Sequence, residues 1–169
     1  MTRVLLPVDS SVNSLQAVEH VIGRHAAGGA LEVHLLHVRV PFSRYIARFV
    51  SRSDHQAYHQ QEAERALTPA RDLLNRAGIR HTDHVEFGDK AETIRAVAER
   101  LGISQIVIGT ARKNSLTRVL EDSVTHRLLE IVEVPVEVVV GRAVSRVEKI
   151  GLPAGLSAAA AVLIAVSLQ

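Results

Sequence analysis

The feature that most constrains this chain is a recurring pair of patterns. A short run rich in Val, Ile and Leu is followed, four times, by a stretch with apolar residues at helical spacing. The runs are Val4–Val8, Leu31–Val40, Ile79–Phe87, Ile103–Ile108 and Val134–Val140. Continuous apolar runs of this length suit strands buried on both faces, and strands alternating with helices give a parallel sheet with helices on either side. Right-handed crossovers then favour a doubly wound, Rossmann-like α/β domain of five parallel strands.

The intervening stretches carry their own punctuation. Val12–Ala26 places Leu15, Val18 and Ile22 on one face, with Asp9-Ser10-Ser11 ahead of it to cap and Gly28-Gly29 behind it to stop. Asp54–Ala77 carries the stripe Ala63, Ala66, Leu67, Ala70, Leu73 and Leu74, ends at Gly78, and holds Pro69, which removes one backbone bond and is expected to kink it. Ala91–Leu101 turns Ile94, Val97, Ala98 and Leu101 inward, and a last helix is expected near Ser123–Ile131 after a loop over Thr110–Glu121. In open parallel sheets ligands sit beyond the carboxyl ends of the strands. Here those ends are Asp9, Val38-Arg39, Gly88-Asp89 and Gly109-Thr110.

Composition narrows the function classes. The chain has 169 residues, enough for one full core, and 20 basic against 18 acidic side chains leave +2, so no overall field favours nucleic acid. With no Trp, two Tyr and three Phe there is no platform for stacking single-stranded bases. The absence of Cys removes disulfides, thiolate metal sites and cysteine nucleophiles, and it fits a reducing, cytoplasmic setting. No charged leader followed by an apolar stretch opens the sequence.

Candidate sites are weighed against ordinary explanations. His55 and His59, four apart on a helix, could share a zinc ion, but no third ligand is fixed, so no metal is expected. His34 and His37 fall on opposite faces of a strand and cannot grip one ion. Asp9, Ser123 and His126 resemble a triad in composition only, because no G-x-S-x-G elbow is present and Ser123 and His126 share one helix. No catalytic residue is assigned. Arg44, Arg48 and Arg52 repeat every four residues beside Tyr45 and Phe49, a pattern suited to a partner or an anionic surface.

The sequence divides into a domain over 1–142, a basic linker over 143–150 and an apolar helix over 151–169. No residue of 151–169 is charged, and as a helix it would be about 28 Å long, close to the hydrocarbon thickness of a bilayer. Leu152, Leu156, Leu163, Ile164 and Leu168 are its contact candidates, and Arg142, Arg146 and Lys149 precede it as cytoplasmic charges would. Small residues four apart, Gly155 with Ala159 and Ala161 with Ala165, suit close helix packing. The expectation is attachment to the cytoplasmic face of a membrane or to a membrane protein.

The segments VLLPVDSSVNSLQAVEHVI, VHLLHVRVP, EFGDKAETIRAVAERLG and QIVIGTARKNSLTRVLEDSVTHRLLEIVEVPVEVVV resemble, in order, the successive strands, turns and helices of universal stress proteins. The resemblance covers about Arg3 to Val140. It implies a five-stranded parallel sheet, a homodimer through the last strand (Val134 to Val140) and a role in stress physiology. Many members bind ATP or AMP. By that resemblance Pro7, Asp9 and Val38 match positions that hold base and ribose, and Gly109, Ser123 and Val124 match the phosphate pattern. Arg112 and Asp122 stand where the pattern has glycine. Glycine there lets backbone N–H groups approach phosphate. Arg112 keeps a cation but adds bulk. A carboxylate at Asp122 would cap the helix itself and repel phosphate by about 4 kcal/mol at ~4 Å and an effective dielectric of 20. The first expectation is therefore a non-enzymatic stress or regulatory adaptor that requires no cofactor and is docked through its tail. The alternative is a switch that binds ATP or AMP.

Overall fold

The computed structural model describes residues 1–40, 52–110 and 123–141, except for the side chains of 52–59 and 123. Arg44, Arg48, Arg112, Asp122 and all of 151–169 lie outside the described residues, as do the side chains of His55, His59 and Ser123.

Nine elements alternate along the described residues. They are β1 (Thr2–Pro7), α1 (Val12–Ala26), β2 (Leu31–Arg39), α2 (Arg52–Arg76), β3 (His81–Phe87), α3 (Lys90–Leu101), β4 (Gln105–Thr110), α4 (Ser123–Ile131) and β5 (Val136–Val140). The strands form one parallel sheet in the order β3-β2-β1-β4-β5. The expected doubly wound α/β fold is present. Chain direction across the sheet reverses between β1 and β4, the switch point at which the two halves of such a fold part.

Alternation along each strand feeds two separate cores. Val4 and Leu6 of β1, with Val33 and Leu35 of β2, pack under α1 and α2 together with Val18, Val21, Leu67 and Leu74. Leu5, Leu36 and Val38 point the other way, where Ile94, Val97 and Leu128 of α3 and α4 cover them along with Ile106 and Ile108. Each fully buried aliphatic side chain contributes about 1.5–3 kcal/mol relative to leaving it exposed.

Local chemistry explains the element ends. Ser11 caps α1, its hydroxyl accepting from the Ser14 amide at 3.3 Å. Asp89 does the same for α3, accepting from the Glu92 amide at 3.2 Å, and Gly102 closes α3 in the left-handed region at φ 59°. Pro69 lies inside α2, and the helix runs through it. The final strand begins at Val136 rather than Val134, because the strand ladder opens after Pro135, whose carbonyl accepts from the Ile106 amide at 2.9 Å.

The two edges of the sheet differ in character. β5 is an apolar edge of sequence VEVVV, with Val140 48% exposed. β3, of sequence HTDHVEF, is coated with ionisable groups, and its carboxylates are tied back to the helices through Asp83–Arg71 and Glu86–Arg100.

Candidate functional site

A cleft opens over the carboxyl ends of β1, β2 and β4, at the switch point. The end of β1 supplies Pro7, Val8 and Asp9, the end of β2 supplies Leu36, His37 and Val38, and β4 supplies Ile108 and Gly109. Helices close the sides with Ser14 of α1, Lys90 and Ile94 of α3, and Val124 and Thr125 of α4. The floor is aliphatic and the rim is polar, the usual make-up of a small-molecule site.

Asp9 stands at the rim, where β1 ends and α1 has not begun. Its Oδ1 accepts from the Ser11 amide at 3.0 Å and the Ser11 hydroxyl at 2.5 Å, which leaves the carboxylate further acceptor capacity. Burial pushes its pKa up, but the hydrogen bonds from Ser11 and Ser14 and the charge of Lys90 outweigh that, so the group lies below the ordinary carboxylate range. It stays ionised and offers an anionic acceptor to hydroxyl groups. Ser14 is tied to the same turn, its hydroxyl donating to the Asp9 carbonyl at 2.8 Å.

His37 is buried, and its Nδ1 donates to the Val8 carbonyl at 3.0 Å. A carbonyl can only accept, so Nδ1 carries the proton in this bond. His34 turns to the opposite face, where its Nδ1 meets His84 Nε2 at 3.0 Å, as strand alternation requires. Among the described residues no group of three or more metal-ligating side chains comes together. His126 points to solvent and pairs with Glu130 at 3.2 Å.

Gly109 serves a purpose that the sequence pattern does not suggest. A Cβ there would lie 1.9 Å from the Asn13 carbonyl oxygen and 3.0 Å from the Ser14 amide nitrogen. The first turn of α1 rests directly on the β4 backbone, and only glycine admits it. The glycine is thus required by packing within the domain, whatever occupies the cleft beside it.

Five of the six positions singled out by resemblance, Pro7, Asp9, Val38, Gly109 and Val124, line this one cleft. The sixth, Ser123, opens α4 next to Val124. Ser14, His37, Lys90, Ile94 and Thr125 were not singled out. Lys90 follows Gly88-Asp89, a strand end already marked as site-forming, so the topological rule could have found it. Nothing in the sequence pairs His37 with Val8.

The model of the universal stress protein family matches residues 1–140. The chain belongs to the universal stress protein family. A relative within it, universal stress protein MJ0531 of Methanocaldococcus jannaschii, is 30% identical over 140 residues, which is 81% of each chain. Among solved structures, hypothetical protein MJ0577 superposes with a TM-score of 0.69 at 26% identity, covering 85% of this chain and 98% of the other. A universal stress protein family member from Arabidopsis thaliana with AMP bound has a TM-score of 0.60 and 18% identity, covering 85% and 94% of the two chains, and shows likeness of fold. Among the described residues of this universal stress protein, no helix is long and apolar enough to cross a membrane.

Proposed function

We propose that this universal stress protein is a non-enzymatic regulatory protein whose cleft takes the nucleoside part of an adenine nucleotide. The observation that carries the reading is the convergence of Pro7, Asp9, Val38, Gly109 and Val124 on one cleft at the switch point. The aliphatic floor suits a flat, weakly polar base, and the ionised Asp9 suits ribose hydroxyls. Structures of the same fold carry AMP, cAMP and dAMP in other proteins, which supports an adenylate as the ligand class. Arg112 and Asp122 weaken the phosphate grip, the first by its bulk and the second by its charge.

The expected order of affinity is adenosine and AMP ahead of ATP. Calorimetric titration of the three ligands tests it. Tighter binding of ATP than of AMP by the unmodified protein, or no binding of any of them, overturns the reading. A substitution pair, Arg112→Gly with Asp122→Gly, should strengthen ATP binding selectively.

The adaptor role rests on the tail. Its support is the uncharged composition of 151–169 behind three cationic residues, which suits contact with a membrane or a membrane protein. Fractionation of cells expressing the full chain and a chain ending at residue 150 tests it. The full chain should sediment with membranes and the truncated one should not. A full chain that stays in the soluble fraction removes this part of the proposal.

A further inference from the structure

The edge strand β3 is tied to its neighbour β2 by a pair of histidines as well as by the backbone ladder. His34 of β2 and His84 of β3 lie on the face that α3 covers, with His34 Nδ1 and His84 Nε2 3.0 Å apart and the ring centroids separated by 5.2 Å. His34 is buried and His84 partly exposed, so solvent reaches the pair from one side. Two ring nitrogens at that distance share one proton: whichever ring donates it, the other must present a lone pair. The neutral pair meets this condition, and so does a pair carrying one extra proton. A pair with both rings charged does not, because two N–H groups then face each other and two cations repel across the contact.

Charges from each neighbouring element bear on this pair. Glu32 of β2 has its Oε1 3.3 Å from His34 Nε2, and Arg3 of β1 holds the same carboxylate at 3.0 Å. On β3, Glu86 pairs with Arg100 of α3 at 2.5 Å, and Asp83 pairs with Arg71 of α2 and lies 3.8 Å from His81. A first extra proton on the pair thus has Glu32 beside it, whereas a second meets the charge of the first. The His84 ring accordingly titrates below its ordinary value of 6.5. Burial lowers it most, then the charges of His34 and Arg100, against smaller opposing effects of Glu86 and Asp83.

We propose that His34 and His84 form an acid-sensitive latch on the β3 edge of the sheet, closed while the two rings share a proton and sprung when both are charged. Below about pH 6.5 the unfolded chain, with His84 at its ordinary value, binds more protons than the folded one. The latch's contribution is therefore whole above that pH and is lost as pH falls through the folded value. Because β3 ends the strand order, its opening leaves the other four strands paired. Such opening carries Gly88, Asp89 and Lys90 with it, and Lys90 lines the cleft. The latch is independent of which ligand the cleft takes.

Two measurements on the full chain test the latch. Titration followed by NMR should place the midpoint of the His84 ring below 6.5, with the His34 ring responding in the same step. Amide exchange read by mass spectrometry and corrected for its intrinsic pH dependence should show β3 losing protection between about pH 7.5 and about pH 5.5, either side of the ordinary histidine value, while β1 keeps its own. The loss should approach about tenfold for each unit by which the measured midpoint lies below the ordinary one. His84→Gln retains a hydrogen-bond partner for His34 Nδ1 but cannot be charged, so it should remove most of the acid-dependent loss. The comparison of β3 with β1 in the parent stands whether or not that variant folds. A His84 midpoint at or above 6.5, equal losses in β1 and β3, or an undiminished loss in His84→Gln overturns the proposal.

Discussion

A methyl group added at Gly109 would have to displace the first turn of α1, since the Asn13 carbonyl oxygen lies only 1.9 Å from the position of its Cβ. Gly109→Ala is therefore expected to cost about 1–3 kcal/mol or more, the range for overpacking a tight contact, with a matching fall in the denaturation midpoint. An unchanged midpoint would show that α1 can shift without loss. Asp9→Asn addresses the other side of the cleft. Because the folded pKa of Asp9 lies below its ordinary value of 3.8, its stabilising contribution is complete above that value and is lost as pH falls through the folded pKa. Acid unfolding below about pH 4 should then be shallower in Asp9→Asn than in the parent. Identical acid profiles would remove Asp9 from the groups that favour folding. At this scale the sequence pattern found the residues that follow strand ends. It missed His37 and Ser14, whose partners, the Val8 and Asp9 carbonyls, are set by how neighbouring segments align.

Among the elements, α3 and α4 are joined by a small polar cluster that also holds a cap. Asp89 accepts from the Glu92 amide, while Arg127 of α4 bridges Asp89 and Glu92, each at 3.2 Å. Asp89→Ala should cost about 1 kcal/mol, mostly through the lost cap. The exposed ion pairs add little, so Arg127→Ala should change stability by under about 1 kcal/mol. Chemical denaturation of both variants checks the ranking, and a larger loss from Arg127→Ala would reverse it. Helical spacing and cap residues placed the four helices of the described residues to within a few residues. Strand ends were harder to read. β1 reaches back to Thr2 because the backbone ladder to β2 begins there, Thr2 opposite Leu31, with the Thr2 amide donating to the Ala30 carbonyl at 2.9 Å. β5 starts late because of Pro135.

In the molecule as a whole, the nine elements of the described residues form the complete five-stranded sheet and both its helical layers between Thr2 and Val140, so removal of 142–169 should leave a cooperative melt. The order of strands could not be counted off the sequence, but the doubly wound arrangement could, because the handedness of crossovers leaves few alternatives. The β5 edge is expected to pair with its copy in a second subunit. Val140→Lys places a charge on that edge at an exposed position, and should give one-subunit mass in sedimentation where the parent gives two. A parent of one-subunit mass would count against the dimer. Pairing through β5 would leave two β3 strands as the outer limits of the joined sheet, each lined with His81, Asp83, His84 and Glu86. Such limits repel a further strand of their own kind. Growth would therefore end after a single addition, and a cell that accumulated this protein to high abundance would gain more pairs rather than longer filaments.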